Sequence, residues 1–268
     1  MSLTPLAGLA PDRPSPTWRR ARVLENRRHA DRYWRLRLAA PEIASSARAG
    51  QFVMLTAARE DAAGPLLPRP MAIYAADAAR GTVDVMYGVV GAGTRALTSF
   101  VPGERMVVVG PLGQGFVLAE GTRRVLLLGR GIGVCSLTCI AHEDVEVVAV
   151  VSARTPAAVL GAEVFGEGGA VAFWPVTDAE GTSDVGALRA LLPAELDGRP
   201  PQQILTCGSE RLARLAAELG GRWRASVQVC LEAHMACGLG YCHGCATSTG
   251  GGPPRLVCRD GPVFRLTA

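Results

Sequence analysis

Four cysteines near the C-terminus constrain this chain more than any other feature. They stand as Cys237-Gly-Leu-Gly-Tyr-Cys242-His-Gly-Cys245, followed by Cys258. The spacing C-x4-C-x2-C-x12-C matches the plant-type ligand pattern of a [2Fe–2S] cluster. Two irons and two sulfides need four thiolates, three of them here from one tight loop. Gly238, Gly240 and Gly244 are placed to supply positive-φ turns and to admit backbone N–H groups close to sulfur. Cys258 closes the cage from a separate segment. A structural zinc is the alternative, although zinc sites usually pair their cysteines as two short knuckles. Disulfides fit less well, because no basic stretch followed by an apolar run marks an export signal.

Ahead of this block the chain changes rhythm once. Residues 1–17 hold Pro5, Pro11, Pro14 and Pro16 and read as a loose tail. From 18 to 118, short alternating runs are separated by Gly and Pro clusters. Trp34, Leu36 and Leu38 alternate with Arg35 and Arg37, and Phe52–Thr56, Met71–Ala75, Thr82–Val90 and Arg105–Val109 continue the pattern. This predicts a small antiparallel barrel or sandwich. From 119 to 229, apolar strands alternate with helical segments. Strands are expected at 124–128, 145–151, 171–176, 203–207 and 227–229, with helices at 134–141, 156–165, 184–192 and 210–219. That order predicts a parallel sheet wound by helices. Residues 230–268 form the cysteine module.

The chain of 268 residues is 49% hydrophobic and 19% charged, with a net charge of +4. Its basic residues are dispersed, so nucleic acid is not implied. No apolar run is long enough to span a bilayer. A cytoplasmic protein with reduced or metal-bound thiols is expected.

Four further stretches carry chemistry. Arg69-Pro70-Met71-Ala72 opens a barrel strand with a permanent, phosphate-capable charge. Tyr87-Gly88 leads through Gly91-Ala92-Gly93 to Thr94, an expected N-cap whose helix start suits a pyrophosphate. Gly129-Arg130-Gly131-Ile132-Gly133 joins a buried strand to a helix, where a wound sheet binds nucleotides. No carboxylate ends the following strand; Ser152-Ala153-Arg154 stands there. Cys207-Gly208 ends another strand at the crevice edge. His29, His142, His234 and His243 show no triad or metal spacing, though His243 lies where it can tune a cluster.

Taken with Asp260-Gly261-Pro262-Val263-Phe264, these motifs resemble the electron-transfer subunit of class 1B dihydroorotate dehydrogenase, a branch of the ferredoxin reductase superfamily. The resemblance covers roughly residues 18–265. It implies a flavin-binding β-barrel, a doubly wound nucleotide-binding sheet and a small [2Fe–2S] module. Arg69, Pro70, Met71 and Ala72 would hold FAD, Met86, Tyr87 and Gly88 would line it, and Gly93 and Thr94 would take its pyrophosphate. Gly129, Gly131 and Gly133 would face NAD(P), with Cys207 and Gly208 near its nicotinamide. Cys237, Cys242, Cys245 and Cys258 would be the metal ligands. The implied partner is an FMN-containing dihydroorotate dehydrogenase-like catalytic subunit, in a hetero-oligomer. The chain departs from the family at Ala72, where a serine is usual, at Arg130, where a glycine is usual, and at Cys135-Ser136; Cys230 is an additional thiol. These departures leave a second reading, a redox-sensing or assembly subunit with a non-functional nicotinamide site.

Overall fold

The computed structural model describes residues 1–6, 15–59, 64–248 and 252–267. Its strands are β1 (Ser2–Pro5), β2 (Thr17–Ala30), β3 (Tyr33–Ala39), β4 (Phe52–Leu55), β5 (Arg69–Asp77), β6 (Thr82–Gly88), β7 (Arg105–Leu112), β8 (Arg124–Arg130), β9 (Glu146–Ala153), β10 (Ala172–Thr177), β11 (Gln203–Cys207), β12 (Ser226–Cys230), β13 (Ala246–Thr247), β14 (Arg255–Leu256) and β15 (Val263–Thr267).

Six of them close a barrel in the order β2-β3-β6-β5-β4-β7, with every neighbouring pair antiparallel. The alternation in β3 explains why. Leu36 and Leu38 point into the barrel core and are fully buried, while Arg35 and Arg37 converge on the carboxylate of Asp84 in β6. Arg37 Nε donates to Asp84 Oδ1 at 2.8 Å and Arg35 Nε to Oδ2 at 2.9 Å. The Asp84 side chain is only 3% exposed. A buried carboxylate satisfied by two guanidinium groups leaves both uncompensated when it is removed. Asp84→Ala should therefore cost on the order of 3 kcal/mol in chemical denaturation; a loss within error of zero would show that the pair contributes nothing to the barrel.

The second sheet has seven strands in the order β1-β15-β12-β11-β8-β9-β10. From β12 to β10 all pairs are parallel. The chain moves outward from β8 to β10, then returns to place β11 on the other side of β8. The order thus reverses between β8 and β11, and strand ends at such a point border a crevice. Both faces of the sheet are covered, which is why its strands are continuous apolar runs. Helices Val185–Leu196 and Glu210–Trp223 pack Leu188, Leu192, Leu212 and Leu215 on Leu126, Leu128 and Ile204. On the other face, Val134, Leu137, Ile140 and Phe165 meet Val125, Leu127, Ala149 and Leu205. Each of these cores continues into barrel residues: Phe52, Met54 and Leu112 in the first, Tyr33, Tyr74 and Met86 in the second.

Several expectations need correction. Residues 2–5 are not loose: β1 pairs antiparallel with β15, Ser2 opposite Thr267, and Leu6 is buried. Pro11 and Pro14 lie outside the described residues. Nor is 230–268 separate from the preceding sheet, because β15 adds to it beside β12. The segment 134–141 is two 3₁₀ turns, Gly131–Ser136 and Thr138–His142, rather than an α-helix. Thr138 Oγ1 donates to the carbonyls of Tyr74 and Cys135, a side-chain bond that competes with helical continuation. Likewise 156–165 breaks into a turn at Pro156–Ala158 and a single helical turn at Ala162–Val164, with Gly161 at φ +80° between them. The other two expected helices form and run further, to Leu196 and Trp223, capped by Asp184 and Ser209. Among the described residues no helix is long and apolar enough to cross a membrane.

Candidate functional site

A cleft of about 830 Å³ opens where the barrel meets the C-terminal edge of the parallel sheet. Arg69, Pro70, Met71 and Ala72 of β5 line it, as do Met86, Tyr87 and Gly88 of β6. Thr94, Gly131 and Gly208 border it too, together with the segment from Cys230 to Met235. Ten of the fourteen residues expected to hold cofactors therefore share one wall system.

The other four lie just behind it. Gly93 is pressed against Arg69: a Cβ there would sit 2.0 Å from Arg69 Nε. This close approach is why a glycine is needed, and it unites two motifs 24 residues apart in sequence. Gly129 backs onto Val134, with only 2.8 Å available for a Cβ, and Gly133 packs on the backbone of Gly208 at 2.6 Å. Cys207 is 1% exposed; the neighbouring Cys230 thiol, then burial, push its own thiol well up. Thr94 is not the N-cap. Gly91 is, and Thr94 Oγ1 accepts from the N–H groups of Val90 and Gly91 at 2.9 and 3.1 Å. The cleft thus has a guanidinium against a short helix start at one end, suited to phosphate, and an apolar floor of Met71, Ala72 and Met86.

Arg130 does not project along the turn. Its guanidinium reaches across the strand ends to Ser152 Oγ at 2.6 Å and pairs with both oxygens of Asp178, at 3.1 and 2.6 Å. The Arg130 guanidinium, helped by Ser183, holds the Asp178 carboxyl down to about 2. No carboxylate ends β9; Asp178 comes one strand later, just beyond β10. No local pattern announces it.

The cysteine loop has its own geometry. Gly238 and Gly240 take φ of +70° and +90°, as expected, but the third left-handed residue is His243 at +57°, not Gly244. Histidine tolerates that region better than most residues. A Cβ on Gly238 would meet Met54 Cγ at 2.6 Å, so the loop is seated directly on β4. The Cys237 thiol lies near that of Cys242, and Cys258 near Cys245, close enough for Cys242 and Cys245 to shift the proton affinity of the other two. The N–H of Leu239 points to Cys237 Sγ and that of Cys258 to Cys245 Sγ, each at 3.4 Å. Burial raises the Cys237 thiol, but the N–H groups of Cys242 and Leu239 outweigh it and bring the group down to about 6. Burial and the Cys245 thiol push Cys258 up to about 12. Among the described residues no three His, Cys, Asp or Glu side chains converge as a single-ion site. As a donor set, four thiols from the loop 237–245 and Cys258 suit an iron–sulfur centre.

Residues 232–268 match the iron–sulfur cluster binding domain of dihydroorotate dehydrogenase B. Over 256 residues the chain is 36% identical to the dihydroorotate dehydrogenase B (NAD(+)) electron transfer subunit of Geobacillus thermodenitrificans, covering 92% of this chain and 96% of that protein. The chain belongs to this electron transfer subunit family. The member from Listeria monocytogenes is 31% identical over 253 residues, covering 91% and 95% of the two chains. Solved structures show that the family's fold is shared more widely. A chain of the NADH-dependent reduced ferredoxin–NADP oxidoreductase superposes with a TM-score of 0.76 at 22% identity, covering 92% of this chain and 88% of that one. Phthalate dioxygenase reductase gives 0.58 at 15% identity, over 77% and 65%. The barrel and wound sheet expected from the sequence are thus the ferredoxin reductase-like pair, followed by an iron–sulfur domain.

Proposed function

We propose that this chain relays electrons between a nicotinamide nucleotide and a partner oxidoreductase, through FAD in the cleft and a [2Fe–2S] cluster on Cys237, Cys242, Cys245 and Cys258. The partner is a dihydroorotate dehydrogenase-like subunit carrying FMN, and the two form a hetero-oligomer. One observation carries the reading: both cluster-bearing segments border the cleft. Met235, two residues before Cys237, lines it, and so does Pro262, four residues after Cys258.

Flavin is the group that exchanges both electron pairs and single electrons, which the two ends of such a relay require. The chain's residues hold and shield it. Arg69 and the N–H groups at Gly93 and Thr94 neutralise a pyrophosphate. Met71, Met86 and Tyr87 exclude water from the ring. Gly129 and Gly133 let the β8 turn sit low, and Gly131 and Gly208 leave room for a dinucleotide at the sheet edge. Leu239 and Tyr241, which precede Cys242 in the loop, are exposed at 44% and 86%, and a partner can approach the cluster there. Arg69→Ala should weaken FAD binding by about 2 kcal/mol, near thirtyfold, with little change in thermal stability of the flavin-free chain; equal affinity in equilibrium dialysis would remove Arg69 from the phosphate site.

The test of the whole reading is oxidation of NADH or NADPH by the flavin-loaded chain with an artificial acceptor. Turnover is expected. If FAD is bound and neither nucleotide is oxidised, the redox-sensing reading takes its place. The contact that favours that reading is Arg130 lying across the strand ends on Asp178.

A further inference from the structure

Two arginines and one carboxylate meet at the ends of three adjoining strands, and their pairing leaves one arginine over. Arg130 ends β8 opposite Ser152 of β9. Thr177 ends β10 opposite Ala153, so Asp178 and Arg154 leave their strands side by side. The backbone ties them there: the N–H of Asp178 donates to the Ala153 carbonyl and that of Ala179 to the Arg154 carbonyl, each at 3.0 Å. Asp178 nevertheless does not pair with Arg154. Arg130 takes both of its oxygens, and Ser183 Oγ donates to one of them. The Arg154 side chain is exposed, lines the cleft, and makes no hydrogen bond or ion pair among the described residues.

The surrounding charge has one sign. Arg211, in the first turn of helix Glu210–Trp223, is near enough for its charge to be felt at Asp178. The carboxylates that follow Asp178 are engaged elsewhere: Glu180 accepts from Thr177 Oγ1 at 2.7 Å, and Asp184 caps the helix Val185–Leu196. Three arginines thus stand against one carboxylate, which is already neutralised by Arg130.

In a wound sheet, the end of the strand after the glycine turn is where the adenosine ribose of a dinucleotide lies. A carboxylate there accepts from the ribose hydroxyls and repels a phosphate, whereas an arginine accommodates a 2′-phosphate. Here β8 carries the glycine turn, and β9 ends on Arg154 with no acid. A guanidinium fork with its donors uncommitted matches a phosphate dianion better than a hydroxyl. Resting on the reading that a nicotinamide nucleotide binds at this sheet edge, we propose that the site is built for NADP(H). Arg154 takes the 2′-phosphate, and Arg130 is a positioning residue that keeps the Asp178 carboxylate from opposing it. The chain differs in this from relatives whose name specifies NAD(+). NADH, with a hydroxyl at that place, remains the poorer donor.

The test uses the flavin- and cluster-loaded protein with an artificial acceptor. NADPH should exceed NADH in kcat/KM by about 30-fold, the difference lying mainly in KM. Arg154→Ala should bring that ratio close to one, and Arg154→Lys, which keeps the charge but not the fork, should retain part of it. Arg130→Gly, which frees Asp178, should lower the ratio as well. A second readout needs no turnover: in titration calorimetry adenosine 2′,5′-bisphosphate should bind about 30-fold more tightly than adenosine 5′-monophosphate, a preference missing in Arg154→Ala. Equal or better use of NADH, a ratio unmoved by Arg154→Ala, or equal affinity for the two adenosine probes would overturn the assignment. If neither nucleotide is oxidised and neither probe binds, the nicotinamide reading falls and takes this proposal with it. If NADH is the preferred donor, the relay stands and the role of Arg154 alone falls.

Discussion

A Cys258→Ser chain is expected to leave an anaerobic purification with its flavin but without acid-labile sulfide. Cys258 is 1% exposed and lies in the short helix Val257–Asp260, next to β15 and paired with Cys245. Of the four proposed ligands it alone stands outside the loop 237–245, so its loss would remove the ligand that closes the cage. Electron delivery to a one-electron protein acceptor should fall to background. Oxidation of NADH by an acceptor that takes electrons directly from flavin should persist, because the cleft is built from other residues. Iron and sulfide analysis decides the matter. Wild-type iron and sulfide in the variant would place the cluster elsewhere, and zinc in the wild type would replace the redox role with a structural one.

Gly208→Ala is expected to be the most damaging change at the sheet edge. Gly208 has φ of +93°, and a Cβ there would lie 2.2 Å from the carbonyl oxygen of Arg130 and 3.2 Å from Gly133 Cα. Backbone, not a flexible side-chain tip, would have to move. The left-handed conformation and the displaced turn together should cost on the order of 3 kcal/mol. The same shift lifts the β8 turn into the cleft, so nucleotide binding should weaken as well. Gly221→Ala is the matched control: it sits in helix Glu210–Trp223 with no atom within 4 Å of its would-be Cβ, and should stabilise by about 0.5–1 kcal/mol. Similar denaturation midpoints for the two variants would mean that the contact between Gly208 and the β8 turn is not tight.

What could be read from the sequence was local or periodic. The thiol spacing, the two-residue alternation of β3 and the strand–helix alternation after residue 119 each depend on neighbours in the chain. The glycine motifs were legible as turns, but their reason was not: Gly93 is glycine because Arg69 lies against it, and Gly133 because Gly208 does. Contacts between distant segments left no periodic trace. The pairing of β1 with β15 joins the two ends of the chain, so the Pro-rich beginning looked unstructured. Asp178 meets Arg130 across 48 residues. The helix expected at 134–141 failed for a related reason. Thr138 finds a carbonyl on β5, 64 residues away, and that tertiary bond decides the local geometry.

The most direct test of the relay is an anaerobic titration of the loaded protein with NADH, followed by visible absorption and electron paramagnetic resonance. Electrons entering at the sheet edge should bleach the flavin and then produce the signal of a reduced [2Fe–2S] centre, a signal missing in Cys258→Ser. A flavin that reduces fully while the centre stays oxidised would contradict the account, because the cleft and the thiol loop would then share a border without sharing electrons.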